Sequence, residues 1–175
     1  VPTGDDGDFS QNRFVDLYNS ELANSYGNLV NRVVMMVDRY LDGEIKGKEK
    51  NEDMSDKIRE FWEKYEEGME GFNIKVACEA AVKLLAYGNK YVEDQKPWEL
   101  AKVDMDALEA VLYNLLEIVR NASLMLWPAI PEKAEEALGK LGLKVEGAGY
   151  GEVFGFLKDG GKVQKGDPLF PKLEE

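Results

Sequence analysis

Three side chains of this chain have the chemistry to recognise an unpaired nucleic-acid base: Asn28, Arg32 and Trp98. Asn28 and Arg32 lie four residues apart, so a helix places both on one face, about one turn from each other. Trp98 follows Pro97, which ends a long helical pattern, and a tryptophan at that point is a poor fit to the helix's buried stripe. An amide, a guanidinium and a flat indole together suit hydrogen bonding and stacking with splayed-out bases.

Each of these residues also has an ordinary structural interpretation. Trp98, taken alone, is better explained as a packing residue over the end of a helix bundle. Arg32 could form a surface ion pair with Glu21 or Asp38, and Asn28 could cap a helix or sit in a turn. The residues by themselves leave both interpretations open.

Composition argues for a binding module rather than a catalyst. The 175 residues suit one domain with a real core, and they contain no histidine and no Gly-rich phosphate loop. The lack of histidine removes the commonest general base and the commonest metal ligand. The single cysteine, Cys78, excludes an internal disulfide and a paired-cysteine zinc site. We therefore predict no catalytic residue, no metal ligand and no cofactor site in this chain.

Charge and hydropathy constrain the surroundings of the protein. No apolar run approaches the roughly 18 residues of a membrane span, and no secretion signal opens the chain. With one cysteine, this pattern predicts a cytoplasmic, reducing location. The net charge of −12 disfavours non-specific binding to phosphates, so any RNA binding should depend on a local patch and on base contacts.

Apolar residues at three- and four-residue spacing predict most of the chain to be helical. Ser55 is expected to cap the third helix. Asn19 and Ser20 are expected to interrupt the chain between the first two helices, with Asn19 and Asn24 as structural residues that close and open helices there. Trp62 and Trp127 are expected to pack in the core. The predicted helices cover about residues 10–18, 21–41, 55–70, 73–94, 104–126 and 132–141.

The end of the chain changes character. From residue 143 onward glycines become frequent and the helical period is lost. Short strands or an extended cover are expected at five apolar residues: Val145, Val153, Phe154, Phe156 and Leu157. The predicted architecture is all-α: a bundle of about five principal helices with an irregular C-terminal tail. The predicted divisions are a linker over 1–9, the bundle over 10–142, and a tail over 143–175 that packs back on the bundle.

Several ungapped blocks resemble the anticodon-binding domain of class I aminoacyl-tRNA synthetases, and specifically the methionyl-tRNA synthetase family. They occur in the family's order and span most of the chain. The blocks are FVDLYNSELAN at 14–24, GNLVNR at 27–32, YVE at 91–93, PWELAK at 97–102, LWPAIP at 126–131 and PLFPK at 168–172.

The resemblance implies a helix bundle that recognises the CAU anticodon of the methionine tRNA. By position, Asn28 and Arg32 match family residues that contact anticodon bases, and Trp98 matches the family tryptophan that stacks on the first anticodon base. The parent enzyme joins methionine to tRNA with ATP, through a catalytic domain of the same polypeptide that also holds any zinc. On this interpretation the chain is the portion that follows the catalytic domain.

Three other functions stay open on the residues alone. Leucyl, valyl and cysteinyl synthetases use related helix bundles, although Asn28, Arg32 and Trp98 together favour the methionyl family. An acidic helical module for protein–protein interaction is a second alternative, since the third helix has a strongly acidic face. A self-contained carboxylate enzyme is a third, weakly supported because no carboxylate pair stands out. The oligomeric state cannot be predicted.

Overall fold

The helical periodicity of the sequence is realised as six α-helices in a computed structural model, which describes residue 15, residues 18–47 and residues 51–171. A π-helical segment, Tyr18–Gly27, leads without a break into the first of them. The helices are α1 (Asn28–Leu41), α2 (Glu52–Glu70), α3 (Ile74–Gln95), α4 (Pro97–Val103), α5 (Met105–Leu126) and α6 (Pro131–Lys140). The predicted all-α class is confirmed, with five longer helices and one short one.

The centre of the bundle is α5. Every residue from 111 to 126 is buried, because this helix packs against each of the other five helices. Gly88 of α3 faces Leu29 of α1 and Ile118 of α5. A β-carbon there would lie 2.8 Å from Leu29 and 2.9 Å from Ile118, so only glycine permits this close packing.

The start of α2 differs from the sequence-based expectation. Ser55 was the expected cap, but the helix begins three residues earlier and Ser55 is buried inside it. The cap is Asn51, whose side-chain oxygen accepts a hydrogen bond from the Met54 backbone N–H at 2.9 Å. Asparagine is as good a cap as serine, so the sequence offered two candidates and the position of the buried face selected the earlier one.

The N-terminal helical run also differs from the prediction. Asn19 and Ser20 do not interrupt it, since the helical path continues from Tyr18 to Leu41. Asn24 therefore neither ends nor begins a helix. The predicted helix at 10–18 and the linker at 1–9 lie almost entirely outside the described residues.

The short helix α4 was not predicted. Pro97 does end α3, as expected, but it is also the first residue of a new helix, a position that proline favours because it has no amide hydrogen to leave unpaired. Between the two helices stands only Lys96, with a left-handed φ of 46°. One residue in that conformation is enough to turn the chain sharply.

The C-terminal segment is held to α5 by a buried ion pair. Arg120 and Glu117 are both fully buried, and Arg120 Nε lies 2.8 Å from Glu117 Oε2. Arg120 also donates to the carbonyl oxygens of Ala148 (2.8 Å) and Glu152, while Glu117 accepts the Leu157 backbone N–H at 3.0 Å. The side chains of α5 thus replace the strand or helix partners that this irregular backbone lacks.

No β-strand occurs in the described part of this segment, contrary to one of the two forms expected for it. Val145 begins a short 3-10 turn, and the nearest approach to a sheet is a single bridge between Glu44 and Lys162. Six glycines with positive φ lie in the turns and in this segment, and such residues bend the chain too often for strand pairing.

Of the two tryptophans predicted to pack in the core, one is buried and the other is exposed. Trp62 is buried, and its indole N–H donates to Asn121 Oδ1 at 2.7 Å, as expected of a core residue. Trp127 was also expected in the core, but it is exposed and its N–H donates to Glu135 at 3.0 Å. It follows the last turn of α5, and the turn at Pro128 carries it past the buried stripe.

Among the described helices, none is long and apolar enough to cross a membrane. The described residues also contain no group of three or more side chains that could hold a metal ion.

Candidate nucleic-acid interface

Asn28 and Arg32 occupy the first two turns of α1, on the face that is not buried. Their neighbours Leu29, Val30 and Val33 are fully buried in the core, which fixes the rotation of the helix. Asn28 is consequently exposed and Arg32 is partly exposed. The four-residue spacing places both side chains on one side of the helix, as the sequence predicted.

Arg32 is held against the end of α3. Its Nη2 donates to Glu93 Oε1 at 2.8 Å, and the two side chains are 30% and 60% exposed. The sequence suggests Glu21 or Asp38 as the partner of Arg32. Asp38 instead forms an ion pair with Lys165, and the side chain of Glu21 lies outside the described part of the chain. Glu93 was missed because its contact with Arg32 spans 61 positions of the chain.

Trp98 lies just beyond Glu93. Four residues separate them in the chain, and the left-handed turn at Lys96 changes the direction of the chain between them. Trp98 is the second residue of α4 and is 36% exposed, and its indole N–H makes no hydrogen bond to any described residue. An exposed ring without a polar partner is available for stacking.

The Arg32–Glu93 contact joins the exposed face of α1 to the last turn of α3, and the one-residue turn at Lys96 leads from there to Trp98. Arg32 is attached to the last turn of α3, and Trp98 opens the helix that follows that turn. Asn28 lies one turn before Arg32 on α1. We call this region the α1–α4 corner, defined by Asn28, Arg32, Glu93 and Trp98.

A polar hollow of about 280 Å³ borders the corner on the side of Asn28. Asn24 and Asn31 line it with Asn28, and Phe170 and Pro168 of the C-terminal segment close it. Sequence reasoning had treated Asn24 as structural and assigned nothing to Asn31. The spacing 24, 28, 31 is helical and could have indicated a shared face.

The charge around Trp98 is mixed rather than strongly acidic. Lys96 and Lys102 flank the tryptophan, and Lys96 Nζ lies 3.7 Å from Glu99 Oε1. The α2 helix contrasts with this corner, since its exposed side carries a series of carboxylates (Asp56, Glu60, Glu63, Glu67 and Glu70). Within an acidic protein, the α1–α4 corner is therefore a better place for an anionic ligand than α2.

Two family models match the chain. A family model described as the anticodon binding domain of methionyl tRNA ligase matches residues 42–175. A second model, described as tRNA synthetases class I (M), matches residues 1–34. Asn28 and Arg32 lie in the part matched by the second model, and Trp98 lies in the part matched by the first. The α1–α4 corner therefore contains residues from both matched parts.

Curated relatives cover nearly the whole chain. Methionine–tRNA ligase of Bacillus subtilis is 38% identical over 99% of this chain, and that of Thermotoga maritima is 37% identical over 98%. The chain spans only 28% of the length of each of these relatives.

Solved structures show the same fold. The free form of Mycobacterium tuberculosis methionyl-tRNA synthetase matches 100% of this chain and 37% of its own, with a TM-score of 0.90 and 29% identity. The same enzyme in complex with methionyl-adenylate matches 98% of this chain and 35% of its own, with a TM-score of 0.87 and 30% identity. The chain belongs to the family of anticodon-binding domains of methionyl-tRNA ligases.

Proposed function

We propose that this chain recognises the CAU anticodon of the methionine tRNA, as the anticodon-binding part of a methionine–tRNA ligase. Membership of the family supports the class of ligand. The observation that carries the proposal is the Arg32–Glu93 contact at 2.8 Å, because it joins the face of α1 to the corner where the exposed Trp98 begins α4.

The three residues have different roles in this proposal. Trp98 offers an aromatic face on which an unstacked base can lie. Asn28 offers an amide that can both donate and accept at a base edge. Arg32 has five N–H donors and uses one of them for Glu93, so it can hydrogen-bond a base without releasing its partner.

Glu93 serves as a support for Arg32 in this arrangement. A free arginine side chain samples many rotamers, and binding would then carry the cost of ordering it. The carboxylate of Glu93 holds the guanidinium beside the α3–α4 turn before RNA arrives. Recognition should consequently depend more on base contacts than on attraction to phosphates, which a net charge of −12 opposes.

Binding to short stem-loop RNAs tests the proposal. The probes are one stem-loop with the CAU anticodon and three with a single anticodon base changed, each with a fluorescent label and titrated with the protein. We expect CAU to bind about tenfold or more tighter than each changed loop, which corresponds to roughly 1.4 kcal/mol, the contribution of one good hydrogen bond to a charged group.

The salt dependence provides a second measurement. If the RNA makes few phosphate contacts, its affinity should decrease only slightly with salt. The slope of log association constant against log salt concentration should be about −1 to −3. Equal binding of all four loops, or no binding at low salt, would contradict anticodon recognition. The latter result would favour an acidic protein-interaction module.

Several features of the parent ligase belong to the proposal as well. We assign the ATP site, any zinc site and the joining of methionine to tRNA to the catalytic part of the same polypeptide. The methionyl-adenylate bound by the Mycobacterium tuberculosis enzyme supports the use of ATP and methionine by the parent ligase. We also propose a cytoplasmic location, and the division into a linker at 1–9, a bundle at 10–142 and a tail at 143–175 stays a prediction.

A further inference from the structure

An open cavity of about 490 Å³ lies where α2, the end of α5 and the 3-10 turn at Val145–Gly147 meet. Three aromatic side chains line it: Tyr65, Trp127 and Tyr150. Met69 adds an apolar wall, and Glu146 is the single charged residue in the lining. A cavity of this size and composition is typical of a small-molecule site.

The aromatic rings of the cavity are held in place by the core. The buried Trp62 contacts Tyr65 and Tyr150 edge-to-face, with ring centroids 5.3 Å and 5.2 Å away, and Asn121 fixes the indole of Trp62. Trp127 is fixed separately by its hydrogen bond to Glu135. Even so, Trp127 is 39% exposed and Tyr150 is 66% exposed. Such positioned but uncovered rings are uncommon on the surface of a small domain.

Lys144 lies in an adjoining hollow with Glu135 and Glu146, whereas the only charge in the lining of the cavity itself is negative. Glu146 lines it and Glu135 holds its tryptophan, yet neither carboxylate forms an ion pair with a lysine or arginine in the described part of the chain. The lining contains no basic side chain. The faces of aromatic rings carry negative partial charge, so rings and carboxylates attract the same kind of ligand.

We propose that this cavity binds a small organic cation, of the alkylammonium or quaternary ammonium class. The rings of Trp127, Tyr150 and Tyr65 contact the cation and its methyl groups, and Glu146 provides the opposite charge. A neutral ligand of the same shape would gain the apolar contacts but not the cation–π attraction. An anion would be repelled.

The cavity is separate from the α1–α4 corner. Its lining comes from α2, the end of α5, the turn at Pro128 and the segment after α6. None of the four residues that define the α1–α4 corner is part of this lining. This proposal therefore does not depend on anticodon recognition, and either can fail without the other.

Choline and its neutral isostere 3,3-dimethyl-1-butanol form a matched pair of probes, because they differ mainly in the charge of the quaternary centre. The protein is titrated with each, at constant ionic strength, while the three indole N–H signals are followed by 1H–15N NMR. The variants Trp98→Phe and Trp127→Phe assign these signals. We expect choline to shift the Trp127 signal in a saturable manner with millimolar affinity, and the alcohol to bind weaker by on the order of tenfold.

Variants separate the contributions of ring and carboxylate. Tyr150→Ala should weaken choline several-fold, whereas Phe72→Ala, which removes an aromatic that is 83% exposed outside the cavity, should not. Glu146→Gln should weaken choline but not the alcohol, and Glu63→Gln on the outer side of α2 is its control. Both test residues are exposed, so the variants are expected to fold, and circular dichroism checks this.

Three results would overturn the proposal. These are equal binding of choline and the alcohol, a choline-induced shift confined to the Trp98 signal, and choline affinity unchanged in both Tyr150→Ala and Glu146→Gln.

Discussion

Arg32 and Glu93, 61 positions apart, meet at 2.8 Å and so join α1 to the last turn of α3. An ion pair this exposed contributes about 1 kcal/mol or less to stability. Its importance is positional, because Trp98 begins the next helix after a one-residue turn at Lys96. The contact orders a guanidinium at the last turn of α3, and the exposed Trp98 follows Glu93 by five positions in the chain.

Arg32→Lys should separate charge from shape. Lysine keeps the positive charge and can still approach Glu93, but it lacks the planar set of donors that reads a base edge. We expect discrimination between CAU and changed anticodon loops to fall by about tenfold, with the melting temperature almost unchanged. The stem-loop titration measures the first quantity and circular dichroism the second. Full discrimination in this variant would exclude a base-reading role for Arg32.

Trp98→Ala should weaken RNA binding without unfolding the protein. Loss of one stacked base corresponds to roughly 1–3 kcal/mol, or a decrease in affinity of about 5- to 150-fold. The ring is 36% exposed, so the helical content and melting temperature should change little. Trp127→Ala is the matched control, since it removes an equally exposed tryptophan distant in sequence from the α1–α4 corner. If both variants bind RNA equally well, Trp98 is not a stacking residue.

Arg120→Met should be severely destabilising. The substitution leaves the buried carboxyl group of Glu117 without its cation, and it also leaves the carbonyl oxygens of Ala148 and Glu152 without their donor. Breaking a buried ion pair in this way costs about 3–5 kcal/mol of unfolding free energy, measured by urea denaturation. Arg59→Met is the control, because the exposed Arg59–Asp56 pair should contribute less than about 1 kcal/mol. A similar loss in both variants would contradict the central role of the buried pair.

Gly88→Ala should destabilise the bundle where α1 crosses α3. The new methyl group would lie 2.8 Å from a carbon of Leu29 and 2.9 Å from one of Ile118, so the helices must move apart, at a cost of about 1–3 kcal/mol. Gly139→Ala is the opposite case, because nothing lies within 4 Å of its β-carbon in α6. Alanine favours a helix over glycine by up to about 1 kcal/mol, so this variant should be slightly more stable. Thermal unfolding of the two proteins gives the comparison.

Alkaline pH should unfold this protein through its buried tyrosines. Burial raises the pKa of Tyr65 from 10.0 to about 12, and burial likewise raises the pKa of Tyr26. The fold favours the neutral phenol, so the stability it contributes is complete below pH 10 and is lost as pH rises from there to about 12. Urea unfolding at pH 8 and pH 11 should show this decrease. Tyr65→Phe should lose less stability between the two pH values, and an equal loss would assign the effect to other groups.

Much of the bundle could be predicted because helical periodicity is local. Tyr26, Val30, Val33 and Val37 recur at the spacing of one helical face, and all are fully buried. Pro97 ended α3 as predicted, since the missing amide hydrogen acts on its own helix. Asn28 and Arg32 lie on the same side of α1 because of the same 3.6-residue repeat.

Local sequence preferences were less decisive where more than one structural role suited a residue or more than one residue suited a role. Asn51 and Ser55 both suit a helix cap, and the buried face of α2 selected Asn51. Trp127 fitted an apolar stripe, yet the turn at Pro128 left it exposed. Propensity states what a residue tolerates, whereas packing decides which option is used.

The sequence by itself determined the all-helical class, the faces of the long helices and, through its motifs, the family. Only the tertiary structure decided that Glu93 is the partner of Arg32, that Arg120 anchors the irregular C-terminal segment, and that three aromatic side chains and Glu146 line one open cavity. The reason is physical: a helical face is set by neighbours within one or two turns, but a contact across 61 positions depends on how whole helices cross.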